Sequence, residues 1–158
     1  MTRIVFEDVS KIYGDRPRQV QDAMALLRQN VPSDEIFART GCRVGLRHIS
    51  LAIPSGGIFC VIGLSGSGKS TLVRHINRLI EPSCGRIQAC DIDVTALDAR
   101  GLREFRRARV SMVFQHFGLL PHLTVMQNTC FGLRVRGLSA NEQRERACHA
   151  NADRKSVV

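Results

Sequence analysis

Alternating and continuous runs of apolar residues predict five strands along the chain. Residues 3–9 alternate as a half-buried strand does, which places Phe6 and Asp8 on one face and Val9 on the other. The unbroken apolar run at 58–62 favours a central strand that helices cover on both faces. The three remaining predicted strands are 44–53, 86–89 and 110–114.

Apolar residues at helical spacing occupy much of the remaining chain. Four of them stand at i, i+3, i+4 and i+7 after Pro17 and predict an amphipathic helix: Val20, Ala23, Met24 and Leu27. A short helix over 34–39 follows, with Ser33 as its N-cap and Gly41 beyond its end. Further helices are expected over 69–79, 97–107 and 124–133, and a Ser139 to Glu142 capping box opens the last one. The mixture predicts an α/β domain.

Length and composition are those of one soluble-type domain. The chain has 158 residues, 44% of them hydrophobic and 23% charged, which suffices for a core. No stretch of about 20 apolar residues predicts a membrane span, and the N-terminus has no apolar secretory signal. The protein is therefore expected in the cytosol.

The six cysteines are interpreted as thiols. No two of them have C-x-x-C spacing, and nothing directs the chain to an oxidising compartment. The five histidines show no zinc-ligand spacing, so no structural zinc is predicted.

The net charge of +9 raises the possibility of a nucleic-acid partner. Arginines cluster at 103–109 and again at 134–146, but aromatic residues make up only 5% of the chain and Trp is absent. That composition is poor for stacking on bases. A solvated helix face, or one that meets an anionic membrane surface or a partner, is the preferred interpretation, and no nucleic-acid partner is expected.

A glycine-rich loop carries the strongest chemical signal. Gly63, Gly68, Lys69 and Ser70 match G-x-x-x-x-G-K-[ST] between a predicted strand and a predicted helix. Nine consecutive residues are expected to bind the phosphates of ATP: Gly63, Leu64, Ser65, Gly66, Ser67, Gly68, Lys69, Ser70 and Thr71. Glycines let the phosphates reach main-chain N–H groups, and the helix N-terminus adds about half a positive charge.

Three side chains of this loop receive separate roles. Lys69 supplies a full positive charge to the β- and γ-phosphates, and it is predicted to be catalytic. The Ser70 hydroxyl is placed to ligate Mg²⁺, and Thr71 to bond a phosphate oxygen. The alternative to a phosphate-binding loop is a flexible Ser/Gly turn before a helix.

Residues around the loop resemble one family of P-loop proteins. The segment 63–82, GLSGSGKSTLVRHINRLIEP, is similar to ABC transporter ATPases, most closely to the glycine betaine/proline type of osmoprotectant importer. Residues 112–122 and 124–128 resemble that subfamily's Q-loop segment and its continuation. The helical insert at 17–41 resembles an insertion that the same subfamily carries.

The resemblance implies a fold and two further site residues. The implied fold is a P-loop NTPase-like ABC ATPase core, truncated, with an N-terminal antiparallel β portion. Gln115 is implied to reach Mg²⁺ and the attacking water, and so to be catalytic and a metal ligand. Tyr13 is implied to stack on adenine, with a Tyr that merely packs in a turn as the alternative.

The resemblance also implies partners and a location. ATP and Mg²⁺ are the expected cofactors. A transmembrane permease and a second ATPase subunit in a homodimer are the expected partners, with a periplasmic or extracellular solute-binding protein as an indirect one. The expected location is peripheral, at the cytoplasmic face of the inner membrane, and the implied activity is ATP hydrolysis coupled to uptake of glycine betaine, proline or choline.

Three motifs of the family are missing from this sequence. They are the Leu-Ser-Gly-Gly-Gln signature, the acidic strand that holds Mg²⁺, and the switch histidine. Residues 1–150 are therefore expected to be a partial nucleotide-binding domain and 151–158 a tail outside the family pattern. Weak ATP binding and little hydrolysis are expected from this chain alone. The alternatives are an ABC ATPase for another import substrate, a nucleic-acid-linked P-loop ATPase, and an inactive fragment.

Overall fold

The computed structural model describes residues 4–114 and 118–153. The chain forms two compact units, Met1–Arg103 and Glu104–Val158. In chain order the described elements are β1 (Ile4–Tyr13), α1 (Pro17–Arg28), α2 (Ser33–Thr40), β2 (Arg43–Ile53), α3 (Lys69–Ile76), β3 (Cys84–Ala89), β4 (Ile92–Asp93), α4 (Ala99–Ala108), α5 (Val125–Val135) and α6 (Ala140–Asp153). The predicted mixture of helices and strands is confirmed.

An antiparallel sheet forms the centre of the first unit. Its strand order is β2-β1-β3-β4, and β1 pairs with β2 on one side and with β3 on the other. Phe6 therefore lies between Leu51 and Ile87, and it is 1% exposed. Leu72 of α3 packs into the same cluster, which joins the glycine-rich loop's helix to the sheet. The predicted antiparallel β portion is confirmed.

A β-bulge interrupts the alternation of β1. The register of pairing shifts between Phe6 and Val9, and Asp8 has a φ of 49°. Asp8 is consequently exposed and Val9 is completely buried with Phe6, so the prediction that Asp8 shares the face of Phe6 is wrong. A bulge adds one residue to a strand and thereby reverses which residues face the core beyond it. Gly85 permits it, since a Cβ there would lie 2.4 Å from the Asp8 carbonyl oxygen.

The predicted helical insert is present as α1 and α2. Both helices cover a second core cluster, which consists of Ile12, Ala23, Met24, Leu27, Ile36 and Cys42. Gly41 ends α2 in the left-handed conformation, as predicted. Ser33 is not the N-cap, however: it is the first helical residue, and Pro32 occupies the cap position.

Two of the predicted strands are wrong. Residues 58–62 and 110–114 lie outside any assigned strand, and Ile58, Ile62 and Val113 are 96%, 92% and 95% exposed. A strand exists only where a neighbouring strand accepts and donates its main-chain hydrogen bonds. Within the described residues, neither segment has such a neighbour, so apolar sequence alone does not make it a strand.

The helix that follows the glycine-rich loop ends earlier than predicted, just before Arg78. α3 stops at Ile76 rather than at residue 79, and Arg78 adopts a φ of 51°. Its guanidinium donates from Nη1 to the carbonyls of Val94 (2.9 Å) and Leu97 (2.7 Å), and from Nε to a Glu81 carboxylate oxygen (2.8 Å). These bonds tie the end of α3 to the chain beyond β4.

The helices of the second unit begin at side-chain caps. The predicted Ser139 and Glu142 capping box is confirmed, since each side chain accepts the other residue's backbone N–H. Thr124 and Gln127 form a second capping box before α5. Among the helices that the structure describes, none combines the length and apolar character that a bilayer span requires.

Candidate phosphate-binding site

The glycine-rich loop leads directly into α3, as its motif predicts. Gly68 is the N-cap residue with a φ of 87°, and Lys69 is the first residue of the helix. The N–H of Ser67 donates to the Leu64 carbonyl (3.2 Å), which turns the loop back on itself. The first N–H groups of a helix have no partner within it, so α3 directs donors and a partial positive charge toward the loop.

The Lys69 ammonium lies within the turn of the loop. Its Nζ donates to the carbonyl oxygen of Gly63 at 2.8 Å, to that of Leu64, and to the Ser67 hydroxyl at 3.3 Å. The loop residues 63–67 are exposed, whereas Lys69 is half-buried. The Lys69 cation is thus held by carbonyl oxygens of an exposed loop beside a helix N-terminus, and an anion that binds there can replace those carbonyls as its partner.

Three glycines permit this backbone path for different reasons. Gly66 and Gly68 have φ angles of 82° and 87°, which residues with a Cβ rarely adopt. A Cβ on Gly63 would lie 2.8 Å from the Ser67 hydroxyl, inside the turn. A Cβ on Gly68 would lie 2.7 Å from the carbonyl oxygen of Gly45 in β2. The loop therefore rests directly on the sheet.

Ser65 and Ser70 are exposed, and Thr71 is half-buried one position further along α3. These hydroxyls, with the loop's N–H groups and Lys69, form a set of groups able to bind a phosphate and a hard cation such as Mg²⁺. The structure therefore brings the nine predicted loop residues together at one helix N-terminus.

Tyr13 lies beside this helix rather than apart from it. Its hydroxyl is 3.3 Å from the Thr71 hydroxyl oxygen, and the Lys11 ammonium lies 5.3 Å from its ring centroid. The ring packs against Gly45, where a Cβ would come within 2.5 Å of a ring carbon. Tyr13 as a whole is 40% exposed, so the residue remains partly accessible.

Gly45 is a site residue that the sequence did not identify. A side chain at this position would displace the Tyr13 ring, and the carbonyl oxygen of Gly45 would lie 2.7 Å from a Cβ on Gly68 of the loop. A glycine within a strand often marks such a close approach. The sequence signal was therefore present in the predicted strand 44–53, although it does not say what approaches.

His75 is a second residue that the sequence did not identify. It lies four positions after Thr71 on α3, is completely buried, and its Nδ1 is 2.6 Å from the Thr71 carbonyl oxygen. Burial lowers the pKa of the His75 imidazole, while the bond to Thr71 opposes that effect and Lys11 adds to it. Its Nε2 has no hydrogen-bond partner among the residues described. The neutral ring with its proton on Nδ1 fits this environment.

Gln115, predicted as a catalytic residue and Mg²⁺ ligand, lies outside the described residues. In the described residues after this segment, the turn between Leu120 and Thr124 is held by Asn128 of α5. The Asn128 amide accepts from the Leu120 N–H (2.9 Å) and donates to the carbonyls of Leu120 (3.1 Å), Leu123 (3.0 Å) and Thr124 (3.1 Å). The role of Gln115 stays a prediction.

Comparisons with known proteins identify the family of this chain. The family model for ABC transporters matches residues 46–157, which include the whole glycine-rich loop. The glycine betaine/proline betaine transport system ATP-binding protein ProV of Escherichia coli is 43% identical over 148 residues, or 94% of this chain. The methionine import ATP-binding protein MetN of Xanthomonas euvesicatoria is 54% identical over 94 residues, or 60% of it.

A solved structure shows the same fold. The ATP-binding cassette MJ0796, in a dimeric post-hydrolysis state bound to ADP and Pi, superposes with a TM-score of 0.72 at 27% identity over 92% of this chain. This chain spans 36% of the length of ProV, 28% of that of MetN and 54% of the MJ0796 chain. By its loop, its fold and the match to the family model, the chain belongs to the ABC transporter family.

Proposed function

We propose that this chain contains the nucleotide-binding part of an ATP-binding subunit that couples ATP hydrolysis to the import of an osmoprotectant. The observation that carries the proposal is the Lys69 ammonium, held among exposed main-chain groups at the N-terminus of α3. A triphosphate is the ligand whose charge fits a lysine, a helix N-terminus and a row of accessible N–H groups.

Each site residue has a role in this proposal. Lys69 exchanges its bonds to the loop carbonyls for bonds to the β- and γ-phosphates, and the exposed Ser70 hydroxyl ligates Mg²⁺. Thr71 bonds a phosphate oxygen, and Tyr13, which contacts Thr71, stacks on the adenine through the accessible part of its ring. Bound Mg²⁺ supplies charge neutralisation between the phosphates. Gln115 keeps its predicted place near Mg²⁺ and the attacking water.

The extent of the match to ProV, whose name gives glycine betaine and proline betaine, supports an osmoprotectant as the substrate, and the proposed class is glycine betaine, proline or choline. An alignment over 94% of the chain includes most of the insert formed by α1 and α2. The alternative is another import substrate, because MetN has the higher identity over 94 residues. Disrupting the coding sequence and measuring uptake distinguishes them, since either glycine betaine or methionine uptake is lost.

The proposed assembly follows that of such transporters. The chain acts with a transmembrane permease and a second ATPase subunit, and a solute-binding protein delivers the substrate to the permease. Its place is peripheral, at the cytoplasmic face of the membrane. The dimeric state of MJ0796 supports the proposed pairing of two ATPase subunits.

Replacing Lys69 tests the nucleotide site. Lys69→Ala should weaken Mg-ATP binding about a hundredfold, because charge-assisted hydrogen bonds of about 1.5–3 kcal/mol each are lost. Titration calorimetry measures the affinity, and circular dichroism establishes that the fold persists. Arg74→Ala, which removes an exposed positive charge from the same helix, is the matched control and should bind like the wild type. Equal affinities for wild type and Lys69→Ala would refute the proposed site.

A further inference from the structure

The helical insert packs directly against the end of β1. Ile12 is 2% exposed and belongs to the insert's core, together with Leu27 of α1 and Ile36 of α2. The next residue in the chain is Tyr13, the last residue of β1. The insert therefore holds the residue that immediately precedes the tyrosine.

The insert also contacts the residue after the tyrosine. A Cβ on Gly14 would lie 2.5 Å from the Sγ of Cys42 and 3.0 Å from a methyl carbon of Val20. Cys42 is buried in the insert's core, and Val20 of α1 packs against that core. Gly14 thus has a small space between Val20 of the insert and Cys42 of its core cluster, which restrains the backbone on the far side of Tyr13.

The strand that pairs with Tyr13, β2, begins directly after the same insert. Tyr13 pairs with Arg43, the first residue of β2, and Arg43 follows Cys42 directly. Ile12 thus belongs to the insert's core, Gly14 contacts it, and Arg43, the pairing partner of Tyr13, directly follows a residue of it. The side chain of Tyr13 points elsewhere, to Gly45 and to the Thr71 hydroxyl of α3.

We propose that the α1–α2 insert is a positioning element for Tyr13 and thereby sets the affinity of the site for the adenine end of ATP. The phosphate end depends on the glycine-rich loop and on Lys69, whose contacts lie within residues 63–69. Damage to the insert should therefore weaken binding of the base while the triphosphate is held as before. This inference rests on the proposed nucleotide site.

The experiment compares two probes, Mg-ATP and magnesium tripolyphosphate, which has the phosphates without the base. Leu27→Ala removes a completely buried side chain from the insert's core. We expect it to lower the affinity for Mg-ATP about fivefold or more, the lower range for loss of a base–aromatic stack, with tripolyphosphate affinity unchanged. Tyr13→Ala should have the same pattern, and Leu27→Ala added to Tyr13→Ala should cause no further loss.

Two further variants separate positioning from general destabilisation. Gly14→Ala leaves the insert's core complete but forces a methyl group against Cys42 and Val20, so it should lower the affinity for ATP alone. This variant decides the question if Leu27→Ala fails to fold. Leu51→Ala is the matched control, because Leu51 packs against the other core cluster beside Phe6. Its ratio of the two affinities should equal that of the wild type.

The outcomes distinguish this inference from the proposed function. Loss of ATP affinity alone in the insert variants supports the positioning role. An unchanged ratio of ATP to tripolyphosphate affinity in both Leu27→Ala and Gly14→Ala overturns it while leaving the nucleotide site intact. A wild-type chain that binds neither probe overturns the proposed site and this inference together.

Discussion

At the scale of single residues, Thr71 connects the candidate site to the interior. Its hydroxyl contacts Tyr13, and its carbonyl oxygen accepts the His75 Nδ1 proton at 2.6 Å. His75 is a completely buried residue of α3, and in the neutral form its Nε2 carries no proton and lacks a hydrogen-bond partner among the described residues. A second proton on this ring would place an unpartnered charge in the core, which is costly.

The stability of the fold should consequently depend on pH through His75. Burial holds its pKa below the ordinary value near 6.5, so the unfolded state binds more protons as the pH falls below about 6.5. The free energy of unfolding should therefore fall from pH 7.5 to pH 5.5 in the wild type. Urea unfolding at both pH values measures this change.

A variant without the imidazole isolates that contribution. His75→Leu keeps an apolar side chain in the cavity and has no group that titrates there, so its loss of stability over the same pH range should be smaller. Four other histidines, including His48 with its bond to Asp8, remain in both proteins. An identical pH dependence in the two proteins would show that His75 does not contribute.

At the scale of elements, one amide organises the start of α5. Asn128 forms four hydrogen bonds to the backbone between Leu120 and Thr124, in addition to the capping box at Thr124 and Gln127. The Asn128 side chain therefore supplies hydrogen-bond partners to main-chain groups of the turn, which lie outside the helices and the sheet. Its position follows the predicted Q-loop segment.

Asn128→Ala should loosen this turn without altering the nucleotide loop. Loss of partly buried hydrogen bonds costs about 1–2 kcal/mol, so the Leu120 amide should exchange its hydrogen about ten times faster. Hydrogen exchange followed by NMR measures this rate, while amides of α3 keep theirs. Asn128→Asp should fail to restore protection, because a carboxylate cannot donate to the three carbonyls. The exposed Asn141→Ala is the control, and an equal effect there would contradict the prediction.

Several elements were predictable from the local sequence pattern, whereas the errors arose where residues distant in the chain come together. The helix α1 was predicted from apolar spacing, and the caps at Gly41 and Ser139 from residue type. The bulge at Asp8 was not, because it depends on how closely Gly85 approaches β1. The early end of α3 depends on carbonyls that β4 and its following loop bring to Arg78.

At the scale of the whole molecule, the segment that precedes the glycine-rich loop in the sequence exposes large apolar side chains. Ile58 and Ile62 are 96% and 92% exposed, although their sequence is that of a buried strand. Exposed apolar surface of this kind promotes association. The chain in solution should therefore self-associate through this segment.

Replacing both isoleucines should reduce that association. The double variant Ile58→Ser with Ile62→Ser should lower light scattering and the fluorescence of a bound hydrophobic dye, because it removes apolar area from the surface. A double change of exposed polar residues in α1 and at its end, Gln21→Ser with Gln29→Ser, is the control. Equal scattering by all three proteins would show that this segment does not drive association.

The amino-acid sequence by itself determined the phosphate-loop motif, the helical insert, most helices and the family, because these depend on residue type and short spacing. Tertiary structure alone decided that Tyr13 contacts Thr71 and Gly45, that Gly68 of the loop lies against the Gly45 carbonyl, and that the buried His75 has no partner for Nε2 among the described residues. It also decided that residues 58–62 form no strand. These properties depend on groups distant in the chain. The hydrogen bonding of a main-chain donor, the packing of an aromatic ring and the pKa of an imidazole are all set by the groups that the fold places beside them.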